Sequence, residues 1–192
     1  RHFWNWLYRR QFLLDHDITF TTTQWEERPF LLKSLINAAS ISSIDSEAVI
    51  YRVRPSSTAR REKTKEDVEN QLRNFEQVVG ILEQSSAFNP ENPLWDTARF
   101  QITQYLHFLL MGFALAVAQR SGQAGRDAYF NRVRAVLLRT GMTGRDLSRE
   151  PSQLSAHHME AHAYELLFEA LRARRYEVIE TVLALKPVSQ TD

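Results

Sequence analysis

A mainly α-helical bundle closed by a C-terminal helical hairpin is the fold this sequence predicts. Apolar residues recur every three or four positions over long stretches, as in Val68, Leu72, Phe75, Val79 and Leu82 or Tyr129, Phe130, Val133, Val136 and Leu137. Proline and glycine fall between those stretches, at Pro90, Pro93, Gly122, Gly141 and Pro187, where helices stop and start. Only residues 18–22 and 48–53 have the β-branched and aromatic content of short strands, which places any strands in the N-terminal part. With 192 residues, 43% of them hydrophobic, the chain buries a core, and a single domain over residues 1–192 is expected.

Within that domain residues 1–54 form an N-terminal part. Phe3, Trp4, Trp6, Leu7, Tyr8, Phe12 and Leu13 mix with Arg9 and Arg10 at roughly helical spacing, a combination that suits either a small core or a membrane-water boundary. Pro29, preceded by Glu26 and Glu27, suits the first turn of a helix through Phe30, Leu31, Leu32, Leu35 and Ile36. Residues 55–65 carry serine, threonine and charge without apolar residues and read as an exposed loop.

Residues 66–192 form the bundle. Thr64 is placed to cap a helix whose first turn holds Glu66 and Asp67 and whose apolar seam faces another helix of the same chain. After the Asn89–Pro93 break, a helix over residues 94–120 is apolar on all sides in its middle and belongs at the centre of the bundle, with Gln101, Gln104 and His107 as partnered polar residues at its margins. Its longest apolar run, residues 106–118, is too short for a bilayer that needs about twenty. A further helix runs over residues 126–139. Residues 152–185 read as the hairpin, turning at Arg172, Arg174 and Arg175.

The charge pattern is the main clue to function. Between Arg99 and Arg149 stand eight arginines, no lysine and only Asp127 and Asp146, a local charge of +6 in a chain that nets +1. Residues 61–98 and 150–192 are acidic, at −4 and −3. Arginine stays charged and presents a rigid fork of donors that matches carboxylates and phosphates. The expected function is therefore that of a non-enzymatic interaction module binding an acidic protein segment, with Arg126, Arg132, Arg134, Arg139 and Arg145 as the ligand-binding residues.

Two other chemistries are compatible with the residues. His158 and His162 lie four apart, so a helix puts both imidazoles on one side, with Glu165 and Glu169 within about 60° of them, as a metal-dependent hydrolase would need. Met159 stands where the zinc-protease motif has glutamate, and Tyr164, Leu167, Phe168 and Leu171 occupy the opposite side, which turns the histidine and glutamate stripe towards solvent. Neither a metal nor an organic cofactor is expected. Nucleic acid is the second alternative, using the same arginines for phosphates and Tyr129 or Phe130 for stacking. No phosphate-cradling glycine loop, dinucleotide fingerprint or nucleophile elbow is present. The absence of cysteine rules out disulfides and thiolate metal sites and fits a cytoplasmic protein.

His162-Ala163-Tyr164, followed by an amphipathic helix and then Leu185-Lys186-Pro187-Val188, resembles the cytoplasmic domain of the DotM/TrbA family of type IV secretion and conjugation systems. Residues 114–120 with Arg126-Asp127-Ala128 are similar to a helix-loop-helix of that family, and the likeness covers about the last 90 residues. It implies a helical domain hung from inner-membrane helices at the cytoplasmic face, in an assembly with membrane partner subunits that receives secretion substrates with acidic signals. It carries over no functional residue. The chain opens on Arg1 rather than methionine, so it is expected to be a piece of something longer.

Overall fold

A computed structural model describes residues 5–21, 26–44, 62–111, 115, 120–148 and 161–184, and among them the fold is mainly α, with eight helices and no strand. They are α1 (Arg10–Asp15), α2 (Glu27–Asn37), α3 (Lys65–Gln84), α4 (Trp95–Met111), α5 (Gly122–Arg139), α6 (Gly144–Ser148), α7 (Ala161–Arg172) and α8 (Tyr176–Ala184). The chain divides into two units, residues 1–81 and 82–192, and the division falls inside α3.

In the first unit, residues 6–9 of the aromatic-basic segment lie outside a helix, with Arg9 extended, and α1 begins at Arg10, while Phe3 and Trp4 lie outside the described residues. Tyr8 of that segment still meets the buried Phe30 ring edge-on at 5.2 Å, and Phe20, further along the chain, stacks on the same ring at 4.3 Å. Residues 18–21 form no strand. Ile18 instead closes α1, its N–H donating to the Leu13 carbonyl at 2.8 Å while Asp17 N–H donates to Leu14 at 3.2 Å, a paired closure that needs the positive φ of 47° at Asp17. The Ile18 N–H that a strand would offer is spent on the helix end. The other expected strand, over residues 48–53, lies outside the described residues, as does most of the 55–65 loop.

Helix α2 carries Pro29 in its first turn and buries Phe30 and Leu32, while Leu31 and Ile36 of the same expected apolar set are half-buried and Leu35 is exposed. Lys33 donates from Nζ to the Asp17 carbonyl at 2.6 Å, satisfying an acceptor beyond the end of α1. Helix α3 starts on the expected cap. The Thr64 backbone N–H donates to Asp67 Oδ2 at 2.7 Å, and the Thr64 hydroxyl accepts from the Asp67 N–H at 3.4 Å. Val68, Leu72, Phe75, Val79 and Leu82 are all buried. The buried face is wider than that seam, since Asp67, Asn70, Gln71 and Asn74 are buried beside it.

In the second unit, Asn89 and Asn92 turn the chain into α4 by accepting from the N–H groups two residues on, at 3.1 and 2.8 Å. Helix α4 buries Ala98, Ile102, Tyr105, Leu106, Leu109 and Leu110. Most of residues 112–119, the rest of the expected long helix, lie outside the described residues. Helix α5 begins four residues earlier than its apolar stripe predicts and buries that stripe completely: Tyr129, Phe130, Val133, Val136 and Leu137. Gly141, at φ 66°, follows its end.

Helix α7 is the hub, packing on α5, α6 and α8, while α6 also packs on α4. Helices α7 and α8 make the C-terminal hairpin, with Tyr164, Leu167, Phe168, Leu171 and Ile179 buried. Among the described residues no helix is long and apolar enough to cross a membrane.

Candidate functional site

The arginines that produce the local +6 have different fates. Arg99 is buried, at 8% exposure, and is structural: Nη1 reaches Asp96 Oδ1 at 2.9 Å and Nε donates to the Asp146 carbonyl, joining α4 to α6. Arg126 donates from Nη1 to Glu180 on α8, with Asp127 at 3.4 Å from its Nε. Arg139 forks onto Glu83, with Nε donating to Oε1 at 3.1 Å and Nη2 to Oε2. Arg126 and Arg139 are therefore held by carboxylates of their own unit, because helices separated by more than fifty residues in sequence bring those acids alongside. They reach an outside ligand only by releasing those partners. Arg132 is half-buried and Arg145 exposed, and Arg149 lies outside the described residues.

Arg134 leads somewhere else. Its Nε donates to the Arg172 carbonyl at 2.9 Å, placing a cation at the end of α7, where the last carbonyls lack helical partners and the helix dipole is negative. Three residues earlier on α5, Asn131 Oδ1 accepts from the Tyr176 hydroxyl at 2.6 Å, and the Tyr176 ring packs on Phe130 at 5.1 Å. The turn between α7 and α8 is thus fastened to α5 at both ends. Burial raises the Tyr176 phenol above its ordinary range, Arg174 and Arg134 pull it back, and Asp127 adds to the rise.

That turn is itself cationic. Arg172 pairs loosely with Glu169, 3.3 Å away on its own helix, and Arg175 lies 3.7 Å from Glu177. Arg174 between them is exposed and, like Arg134, has no carboxylate partner among the described residues. The sequence singles out Arg172, Arg174 and Arg175 only as a hairpin turn. What it lacks is the link to α5: Arg134 and Arg172 are 38 positions apart.

The other candidate sites fare differently. Glu169 is exposed, as the stripe predicts, and Glu165 is half-buried because the start of α6 lies over that edge of α7: the Gly144 N–H donates to Glu169 Oε1 at 2.8 Å, and Glu165 lies directly beneath Gly144. His158 and the side chain of His162 lie outside the described residues, among which no group of three or more histidine, aspartate or glutamate side chains is arranged to hold a metal. The His107 ring nitrogen Nδ1 lies 2.9 Å from the Tyr164 hydroxyl, a polar contact between α4 and α7 at a half-buried position. Tyr129 and Phe130 are buried, and the Tyr129 hydroxyl donates to the Leu109 carbonyl at 2.7 Å, so neither ring is open to stack on a base. No family model, curated protein or solved structure matches the chain.

Proposed function

We propose that this protein is a non-enzymatic interaction module that binds an acidic protein segment through arginines of its second unit. Arg132, Arg134 and Arg145 are the contacts on α5 and α6, extended by the Arg172–Arg175 turn. The observation that carries the reading is the pair Arg134 and Arg174, two cations beside one turn that the nearby acids leave without a carboxylate. Burial of the Tyr129 and Phe130 rings favours a polypeptide over a nucleic acid, which would use exposed aromatics. The resemblance to the DotM/TrbA family supports the same reading, with the segment as the acidic signal of a secretion substrate and the domain at the cytoplasmic face of the inner membrane.

Each exposed arginine-carboxylate pair contributes under about 1 kcal/mol, so affinity comes from several together and falls with salt. Titration with a glutamate-rich peptide at low and high salt tests this. Reversing charge at Arg132 and Arg145 (R132E/R145E) is expected to weaken binding about tenfold, as is raising the salt. Affinity that ignores both changes, or a duplex or single-stranded nucleic acid that outcompetes the peptide, overturns the proposal.

A further inference from the structure

We infer that the α7–α8 turn is a carboxylate subsite, in which Arg174 and Arg134 together take one aspartate or glutamate side chain of the partner and Asn131 offers a neutral N–H at its edge. The inference rests on the acidic-segment reading above and names where on the surface the segment is anchored. The first support is rigidity. Two bonds, Arg134 Nε to the Arg172 carbonyl at 2.9 Å and the Tyr176 hydroxyl to Asn131 Oδ1 at 2.6 Å, fasten the turn to α5 on either side of Arg174. Because Nε is spent, the guanidinium plane of Arg134 is held and its Nη groups remain as donors, and because Asn131 accepts through Oδ1 its Nδ2 remains a donor. A ligand carboxylate then meets donors already in place, which reduces the ordering cost of binding.

The second support is the backbone of Arg174. Helix α7 ends with the Arg175 N–H donating to the Ala170 carbonyl at 2.8 Å and the Arg174 N–H to Leu171 at 3.2 Å, a closure that puts Arg174 at φ 57°. Glycine takes that conformation without strain, as Gly141 does after α5. Asp17 and Ser86 hold the same position after α1 and α3, but both are short polar residues, whereas an arginine has no local hydrogen bond with which to offset the left-handed strain. Strain of this kind gathers at ligand-binding positions.

The third support is the disposition of nearby acids. Asp127 lies by Arg126, Glu169 accepts from Gly144 and Arg172, and Glu177 lies by Arg175. Each has a partner of its own, and Asp127 makes a negative border on the α5 side, leaving the approach over Arg134 and Arg174 as the cationic one.

The test is R174G in the full chain, titrated with N-acetylated, C-amidated octaglutamate. The glycine is expected to raise the melting temperature by roughly 2 °C by relieving the strained cap, and to weaken the peptide about tenfold. S86G, which relieves the same closure at the end of α3 where a short polar residue already offsets part of the strain, is expected to raise the melting temperature by less and leave affinity unchanged. R174G binding as tightly as the parent, while R132E/R145E still weakens binding, overturns the subsite and leaves the broader arginine surface standing. No binding of octaglutamate by the parent protein overturns both. A peptide with neutral side chains and a free C-terminal carboxylate binding better than blocked octaglutamate overturns the side-chain assignment. Inorganic phosphate displacing the peptide at matched charge overturns the choice of carboxylate.

Discussion

Replacing Gly144 by alanine tests how α6 is held against α7. In an open helix the substitution stabilises by about 0.4–1 kcal/mol, because alanine restricts the unfolded chain. Here a Cβ at Gly144 comes within 2.9 Å of Glu165 Cγ, 3.0 Å of the Glu165 carbonyl oxygen and 3.1 Å of Glu169 Cγ. The first contact yields if Glu165 changes rotamer. The carbonyl belongs to the α7 backbone and does not move alone, and Glu169 is pinned by accepting from the Gly144 N–H at 2.8 Å and from Arg172 at 3.3 Å. Relief therefore requires α6 to back away, which strains the bond from Arg99 Nε to the Asp146 carbonyl and loosens buried Leu147. Overpacking of this sort costs about 1–3 kcal/mol, so the net expectation is a loss of about 1–2 kcal/mol. In a chain of this size that lowers the melting temperature by roughly 2–8 °C, measured by circular dichroism with the denaturant midpoint as a second readout. Adding E165A should recover only part of the loss, since the carbonyl stays. A G144A variant that melts at or above the parent temperature refutes the reasoning.

Two further predictions concern stability. Burial pushes the Tyr129 phenol well above its ordinary value, so the folded state keeps that proton at a pH where the unfolded state has released it. The contribution is fully present below pH ~10, the unfolded value, and is lost as pH rises beyond it, at up to about 1.4 kcal/mol per pH unit. Y129F should cost about 1 kcal/mol at neutral pH through the lost bond to the Leu109 carbonyl and should flatten the alkaline limb; an unchanged alkaline slope in urea titrations contradicts this assignment. T64A removes the hydroxyl that caps α3 and leaves buried Asp67 short of a bond, an expected loss of about 1 kcal/mol that an unshifted denaturant midpoint would exclude.

The parts of the fold legible in the sequence are those that depend on neighbours three or four residues away. The seam of α3 and the five-residue stripe of α5 are buried at the positions their spacing marks, and Thr64 caps α3 through Asp67. Helix ends were less legible. Gly122 and Gly141 announce their positive φ, whereas Asp17, Ser86 and Arg174 adopt it without glycine because the bonds closing each helix impose it. At Ile18 that closure takes up backbone a β-branched run would otherwise lend to a strand.

By itself the sequence determined the helical class, the buried faces and the size of the local positive charge, since each is a sum or a period over adjacent residues. Only the tertiary structure decided which of those charges meet an acid. Glu180 reaches Arg126 and Glu83 reaches Arg139 across more than fifty positions, while Arg134 meets the end of α7 and has no carboxylate partner among the described residues. The reason is that Coulomb attraction and hydrogen bonding depend on distance in space, and that distance is set by how α5, α7 and α8 pack rather than by where their residues stand in the chain.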